Sequence, residues 1–380
     1  MALYDTDAME HSDTENAESH GAFENGNTSS CSDPPGLCVI CCEREKDLTE
    51  NQLSSLCNEC RREALKLHIP LRIKVFLMAI CAVFLFSTIM FVPVLSSYRN
   101  YAEAERLMKV SEYSLAYKKY FEVLEKNNSS VSLILKTAKA AMSAQYFGEL
   151  AEILDTYLVE KNLSNSEYSK AMEYSGFLGI YSDTINEVDS IFQEAYEMFS
   201  EEDDSSFANQ FICSKLNELL LNENLDKAYI YFSLANISQD FLSSADYFKL
   251  SIAQDSRLTY MYAFYGNLLR RQGDFDQARQ IYRTAIEQNA CDALSWRGLG
   301  VIELLEGEKS HALELIKYAY GLEPNGLYVP EALIIALCEN GLRDDAVAVL
   351  DKITAEGYQI ENDLQEYLNG TLSLEQYYLN

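Results

Sequence analysis

Histidine is scarce in this sequence, and the four present are His11, His20, His68 and His311 among 380 residues. Two of them stand in an acidic N-terminal stretch and a third borders a long apolar run, so no Ser/His/Asp or Cys/His set for nucleophilic catalysis is apparent. The sequence also lacks a phosphate-binding glycine loop and an HExxH motif. Abundant carboxylates leave a paired acid and base open. We nevertheless predict that the protein is not an enzyme, and no catalytic residue is assigned.

Basic residues are also few, with 30 Lys and Arg against 59 Asp and Glu and a formal net charge of −29. Nucleic-acid binding depends on Lys and Arg that neutralise phosphates, so a surface of this charge repels the phosphate backbone. Nucleic acid is therefore not expected as a partner, whereas basic proteins and cations are compatible with this charge. The simplest role of the acidic residues is to solvate helix surfaces.

Residues 1–34 contain eight acidic residues and neither Lys nor Arg. Gly, Asn and Ser make up much of the remainder, and no apolar period is present around which the segment can fold. The composition predicts a disordered acidic tail. A tail that docks a partner is the alternative.

The ten cysteines are unevenly distributed, and two CxxC pairs stand out among them. Cys38 and Cys41 form the first pair, and Cys57 and Cys60 form the second after fifteen intervening residues. Two tight knuckles at this separation direct four thiolates at one metal, and Zn²⁺ suits such a closed tetrahedral site. We predict a structural zinc-ribbon-like module over 35–70, in which the metal replaces a core too small to be stable alone. An iron–sulfur centre or a thiol redox switch is the alternative, and Cys42 is a competing ligand.

Residues 75–95 form an apolar run that no charge interrupts. At about 1.5 Å per residue the run spans roughly 30 Å, which matches the hydrocarbon core of a bilayer. Basic residues crowd its N-terminal side, namely Arg61, Arg62, Lys66, Arg72 and Lys74. The positive-inside rule then predicts a single-pass membrane protein with a cytoplasmic N-terminus and an extracytoplasmic C-terminal domain. A cleaved signal peptide is the alternative, although the run is long for one.

Residues 98–224 have apolar residues spaced three and four apart, which predicts irregular helical repeats. From residue 225 the chain adopts a period of 34 residues, with blocks that begin at 225, 259, 293 and 327. Small residues recur at the twentieth position of the blocks, Gly at the fifteenth, and large apolar residues at the twenty-fourth. These positions hold Ser244, Ala278, Ala312 and Ala346; Gly273, Gly307 and Gly341; and Phe248, Tyr282, Ile316 and Leu350.

This pattern has a physical explanation in paired antiparallel helices. Small residues allow two helices to touch, large apolar residues fill the space beside them, and Gly supplies the left-handed turn between them. The pattern resembles the tetratricopeptide repeat family, with departures at Glu303, Pro330 and Ile334. The resemblance implies an all-α, TPR-like helical-repeat solenoid over 225–358, and residues 359–380 are predicted to form a polar C-terminal capping helix.

The resemblance also implies a concave face that binds peptides or protein surfaces. One subfamily holds carboxylates with Lys and Asn at fixed sites, and only Asn267 matches such a site here. Ala263, Val301, Glu331 and Ile335 occupy the others, so this anion-binding role is disfavoured. We expect a membrane-anchored protein–protein interaction scaffold. The alternatives are a transmembrane signalling protein, with the solenoid as sensor and the zinc module as cytoplasmic reporter, and a purely structural anchor.

Overall fold

The structure, a computed structural model, describes residues 36–46, 55–65, 70–199 and 205–379. Within these ranges the backbone forms helices and turns, and the β-type pairing is limited to one isolated bridge between Leu37 and Glu45. The chain divides into two units, residues 1–87 and 88–380. The predicted acidic tail at 1–34 lies outside the described residues. The expected all-α fold class is confirmed.

The predicted membrane span lies in one long helix. Helix α1 covers Asn58–Leu65, and α2 covers Leu71–Lys109, which is 39 residues and is continuous through Pro93. The most apolar window of α2 has a mean hydropathy of 2.7, and none of it is buried. Among the described residues, α2 is the one helix long and apolar enough to cross a membrane. Its C-terminal end continues past residue 95 into the region predicted to begin the helical repeats.

The remaining helices follow one another through short turns. They are α3 Tyr113–Leu124, α4 Val131–Ser143, α5 Phe147–Ile153 with a π-helical turn Leu154–Leu158, α6 Asn165–Met198, α7 Ser205–Leu219, α8 Lys227–Ile237, α9 Phe241–Gln254, α10 Thr259–Arg271, α11 Phe275–Gln288, α12 Ala293–Leu305, α13 Lys309–Leu322, α14 Val329–Glu339, α15 Arg343–Ala355, α16 Asn362–Leu368 and α17 Leu374–Leu379.

Helices α8 to α15 form four hairpins in the register that the sequence pattern predicts. The second helices begin at Phe241, Phe275, Lys309 and Arg343, each 34 residues after the one before. The turns of the last three hairpins contain Gly273, Gly307 and Gly341 with positive φ angles of 78°, 88° and 76°. Part of the acidic excess caps these helices, because side chains of Asp226, Asp240, Asp274 and Asp292 accept backbone N–H bonds at helix N-termini.

The hairpins pack through glycine and alanine contacts. The ring of Tyr282 on α11 is fully buried, and it lies against Gly266 of α10 and Gly298 of α12. A Cβ atom added to Gly266 would lie 2.4 Å from that ring, and one added to Gly298 would lie 2.3 Å from it. Ala278 and Ala312, at the predicted small positions, are both fully buried. The small residues therefore set the separation of neighbouring helices.

Two earlier hairpins have the same spacing, although the sequence pattern indicated the repeat only after residue 225. The first contains the end of α2 and α3, and the second contains α4 and α5. Their turn residues Ser111 and Gln145 have positive φ angles of 59° and 62° and lie 34 residues apart. Neither is Gly, so the turn signal was absent from the sequence.

The earlier hairpins contact the loops that join the later ones. The backbone N–H of Ala290 donates to the carbonyl of Ser111 at 3.0 Å. The Gln145 amide donates to the Thr259 hydroxyl at 2.6 Å. These contacts join residues more than one hundred positions apart in sequence, so residues 98–158 pack directly against the later repeats.

The C-terminal segment differs from the single polar helix that the sequence predicts. It forms two short helices, α16 and α17, separated by a turn in which Gly370 has a φ angle of 77°. Leu364 and Tyr378 are buried, and α17 packs against α10 and α12. The segment therefore folds back onto the repeats.

Candidate metal centre and interaction face

The first cysteine pair lies on a tight backbone turn. The backbone N–H of Cys38 donates to the carbonyl of Arg44 at 2.7 Å, and the N–H of Cys42 donates to the carbonyl of Cys38 at 2.9 Å. The Leu37–Glu45 bridge closes the base of this turn. The backbone therefore fixes the direction of both sulfur atoms from this pair.

The second pair lies at the start of a helix rather than on a second isolated knuckle. Cys57 precedes α1 and Cys60 lies in its first turn, where the N–H of Arg61 donates to the carbonyl of Cys57 at 2.9 Å. The N–H of Val39 donates to the carbonyl of Ser55 at 3.0 Å, which joins the two pairs. Residues 47–54 between them lie outside the described residues.

The four predicted ligands converge. The Sγ atoms of Cys38, Cys41, Cys57 and Cys60 all lie within 4.8 Å of one another, and Cys42 is not part of this group. Cys41 Sγ and Cys57 Sγ are 3.8 Å apart. Tetrahedral zinc with Zn–S bonds of about 2.3 Å separates its sulfur ligands by roughly 3.8 Å. The donor set and spacing thus fit a metal ion held by four thiolates.

The pKa values of two thiols in this group are shifted in opposite directions. Burial raises the pKa of Cys38, but hydrogen bonds from the backbone at Cys41, Cys57 and Ile40 outweigh it and lower the pKa to about 6. A hydrogen bond with the Cys57 side chain, together with burial, raises the pKa of Cys60 to about 12. The negative charge of the Cys38 thiolate also raises the pKa of Cys60. A divalent cation would supply the positive charge that stabilises four thiolates together.

A second candidate site is formed by the first helices of two neighbouring hairpins. Asn267 and Arg270 of α10 and Arg297 of α12 lie together there, and we call this group the first-helix face. Asn267 Oδ1 accepts hydrogen bonds from the Tyr282 hydroxyl at 2.8 Å and from Arg297 Nη2 at 3.4 Å. One asparagine thus connects this face to the buried tyrosine that separates the hairpins.

Both arginines of the first-helix face are buried, with 7% of Arg270 and 6% of Arg297 exposed. No carboxylate of the described residues lies within 4.0 Å of either guanidinium. Burial lowers the pKa of Arg270, and the charge of Arg297 lowers it further. The buried carboxylate of Glu331 interacts with Arg297 at longer range. A guanidinium taken from water needs charge and hydrogen-bond compensation, so two buried arginines without a direct ion pair to a described carboxylate are costly.

The sequence analysis did not identify these arginines, because it tested for anion binding at the positions that are known to bind carboxylates in one subfamily. Ala263, Val301, Glu331 and Ile335, which argued against it, are indeed apolar or acidic, and all are buried. The positions of the two arginines within the 34-residue blocks could have revealed them. Arg270 and Arg297 hold the twelfth and fifth positions of their blocks, which are seven apart and share one side of a helix.

The structure also shows the contacts of His311 and Glu303, two residues noted in the sequence. His311 Nδ1 lies 3.4 Å from Glu303 Oε2 on an exposed surface, and Glu303 Oε1 lies 3.7 Å from Arg279. The acidic departure from the repeat pattern at Glu303 is therefore accommodated by an ion pair between adjacent hairpins. The other three histidines lie outside the described residues.

One sequence family and several solved structures are similar to this chain. Residues 266–326 match the sequence model of the tetratricopeptide repeat family, which confirms the predicted resemblance for that segment. A crystal structure of MamA protein is 18% identical, with 46% of this chain and 98% of that chain covered and a TM-score of 0.31. YrrB, described as a TPR protein with an unusual peptide-binding site, is 14% identical, with 56% and 96% covered and a TM-score of 0.29. No curated protein sequence matches the chain.

Proposed function

We propose that the protein is a membrane-anchored scaffold that binds a peptide or protein segment on the first-helix face of its helical repeats, and that it is not an enzyme. The observation that carries this proposal is the pair of buried guanidiniums of Arg270 and Arg297, neither of which forms a direct ion pair with a described carboxylate. Both lie on first helices of hairpins within residues 266–326, the segment that matches the tetratricopeptide repeat family. Arg presents a planar fork of donors that fits carboxylate and carbonyl oxygens. Peptides offer both groups.

A capture experiment tests this function. The parent chain, Arg297→Met and Arg283→Met are solubilised and used to capture proteins, which are quantified by mass spectrometry. Met replaces a buried Arg with little change in volume, and Arg283 is an exposed residue of α11 that serves as the control. Ligands of the face are those whose yield falls about tenfold or more with Arg297→Met and is unchanged with Arg283→Met. Identical captured sets for the two variants would refute the proposal.

We infer that α2 anchors the chain in a membrane, with the N-terminus cytoplasmic and residues 98–380 outside. The support is the apolar window of α2, none of which is buried, with basic residues concentrated on its N-terminal side. Protease added to intact cells should digest the repeats and spare the N-terminal segment. Protection of the repeats would mean the opposite orientation.

We also propose that Cys38, Cys41, Cys57 and Cys60 bind one structural Zn²⁺. Four convergent sulfur donors with tetrahedral spacing support zinc, because Zn²⁺ favours closed thiolate sites. A reducing cytoplasm would keep these thiols available for the metal. The acidic net charge of −29 supports the further expectation that nucleic acid is not a partner.

A further inference from the structure

The first-helix face is covered by the chain's own C-terminal segment. Helix α17 packs against α10 and α12, the two helices that supply Asn267, Arg270 and Arg297. Arg270 Nη1 donates a hydrogen bond to the backbone carbonyl of Tyr378. The same guanidinium lies over the Tyr378 ring, 5.4 Å from its centroid, and only 6% of Tyr378 is exposed. A backbone carbonyl and an aromatic ring thus occupy the site at which a peptide is expected.

Helix α17 has little stability of its own. It is six residues long, and isolated helices shorter than about 12–15 residues are marginal in water. Local support comes from the Ser373 hydroxyl, which accepts the N–H of Gln376 at 3.2 Å, and from the Gln376 side chain, which accepts the N–H of Ser373 at 2.9 Å. The segment therefore depends on the face for its structure, as a bound peptide does.

The fit between segment and face is incomplete. Three buried polar atoms of this contact have no hydrogen-bond partner among the described residues: Arg270 Nε, Arg297 Nε and the Tyr378 hydroxyl oxygen. Buried polar groups are normally paired, and each unpaired one weakens the association that buries it. A ligand that offers a carboxylate to these donors would satisfy groups that the segment leaves unpaired. The segment is therefore a displaceable occupant.

We propose that residues 373–379 act as an intramolecular peptide ligand of the first-helix face, and that a partner must displace them to bind. The partner class that fits is a peptide with an aromatic side chain next to a carbonyl or carboxylate oxygen. This inference rests on the proposed function of the same face. A tethered segment acts at an effective concentration on the order of millimolar. The apparent affinity of a free competitor falls in proportion to the fraction of faces left open.

The test uses the full chain in detergent and a fluorescently labelled synthetic peptide of residues 373–380. Binding is measured by fluorescence anisotropy for the parent, for Tyr378→Ala and for Tyr196→Ala. The last is a matched control, because Tyr196 is an exposed tyrosine of α6, with 73% of its surface accessible. Releasing the segment should make Tyr378→Ala bind the peptide about tenfold or more tightly than the parent, whereas Tyr196→Ala should bind like the parent. Adding Arg270→Met to Tyr378→Ala should abolish the gain. Equal affinities for the parent and Tyr378→Ala would overturn self-occupancy.

A second measurement does not depend on any variant folding. The parent is mixed with excess isotope-labelled 373–380 peptide, and backbone hydrogen exchange is followed by mass spectrometry. Exchange at 374–379 of the protein should accelerate while α10 stays protected. No change at millimolar peptide would contradict displacement. If instead the ligands that depend on Arg297 bind the parent and Tyr378→Ala equally, self-occupancy fails while the proposed function stands. If the capture experiment finds no protein whose yield depends on Arg297, the proposed function itself is wrong.

Discussion

The buried ring of Tyr282 makes the tightest test of the repeat packing. It is fully buried between Gly266 and Gly298, and a Cβ added at Gly298 would lie 2.3 Å from the ring. The ring has little room to move, because it is fully buried and also packs closely against Gly266 of α10. Overpacking of a filled core costs about 1–3 kcal/mol. Ala is better than Gly in a helix by about 1 kcal/mol, so Gly298→Ala should destabilise the protein by up to about 2 kcal/mol net.

A second glycine gives the opposite expectation. Gly179 lies within α6, and no atom stands within 4 Å of the position that a Cβ would take there. Gly179→Ala should therefore stabilise the protein by about 0.5–1 kcal/mol, because only the backbone entropy term changes. The two substitutions make the same chemical change in a helix, so any difference in sign comes from the tertiary contact.

Urea unfolding followed by tryptophan fluorescence measures both effects. Trp296 is the one tryptophan of the sequence, and it lies two residues from Gly298, with its indole N–H donated to the Ala290 carbonyl at 2.8 Å. With a slope of about 2 kcal/mol/M, the midpoint should fall by up to roughly 1 M for Gly298→Ala and rise slightly for Gly179→Ala. If the unfolding midpoint of Gly298→Ala equals or exceeds that of Gly179→Ala at equal slopes, the ring does not pack against the two glycines, and the packing argument fails.

Three further predictions follow from the cysteine group, the small positions and an ion pair. The full chain purified under reducing conditions should contain about one zinc, and Cys57→Ser should lose it; a metal-free chain with a folded cysteine module would exclude the site. Ala312→Leu should cost about 1–3 kcal/mol in urea unfolding, against less than about 0.5 for the exposed Glu314→Gln; equal midpoints would contradict the contact. A hydrogen bond from Lys136 lowers the pKa of Glu105 below 4.5, so its stabilisation is present above pH 4.5 and lost as pH falls through the lower folded value. Glu105→Gln should lack that acid-sensitive component, and an unchanged pH profile would show that the pair contributes nothing.

The sequence by itself determined the local features of this protein. The 34-residue period followed from Gly273, Gly307 and Gly341 in the turns and from the alanines between the helices, because backbone handedness and side-chain size act at short range. The CxxC spacing predicted which four thiols converge, and the uninterrupted apolar run predicted the exposed helix. None of these inferences needed a contact between distant residues.

Only the tertiary structure decided how distant parts meet. Helical repeats were predicted over 98–224, but the 34-residue register of the two earlier hairpins was missed, because Ser111 and Gln145 adopt left-handed turns without Gly. Both residues also contact the later repeats. The return of α17 onto α10 and α12 was equally invisible, since a six-residue helix carries too little pattern to predict its partner. The sequence analysis singled out neither Arg270 nor Arg297, because only the folded structure buries the two side chains close together. Burial and proximity are properties of the packed chain, and they decide where this protein's charges act.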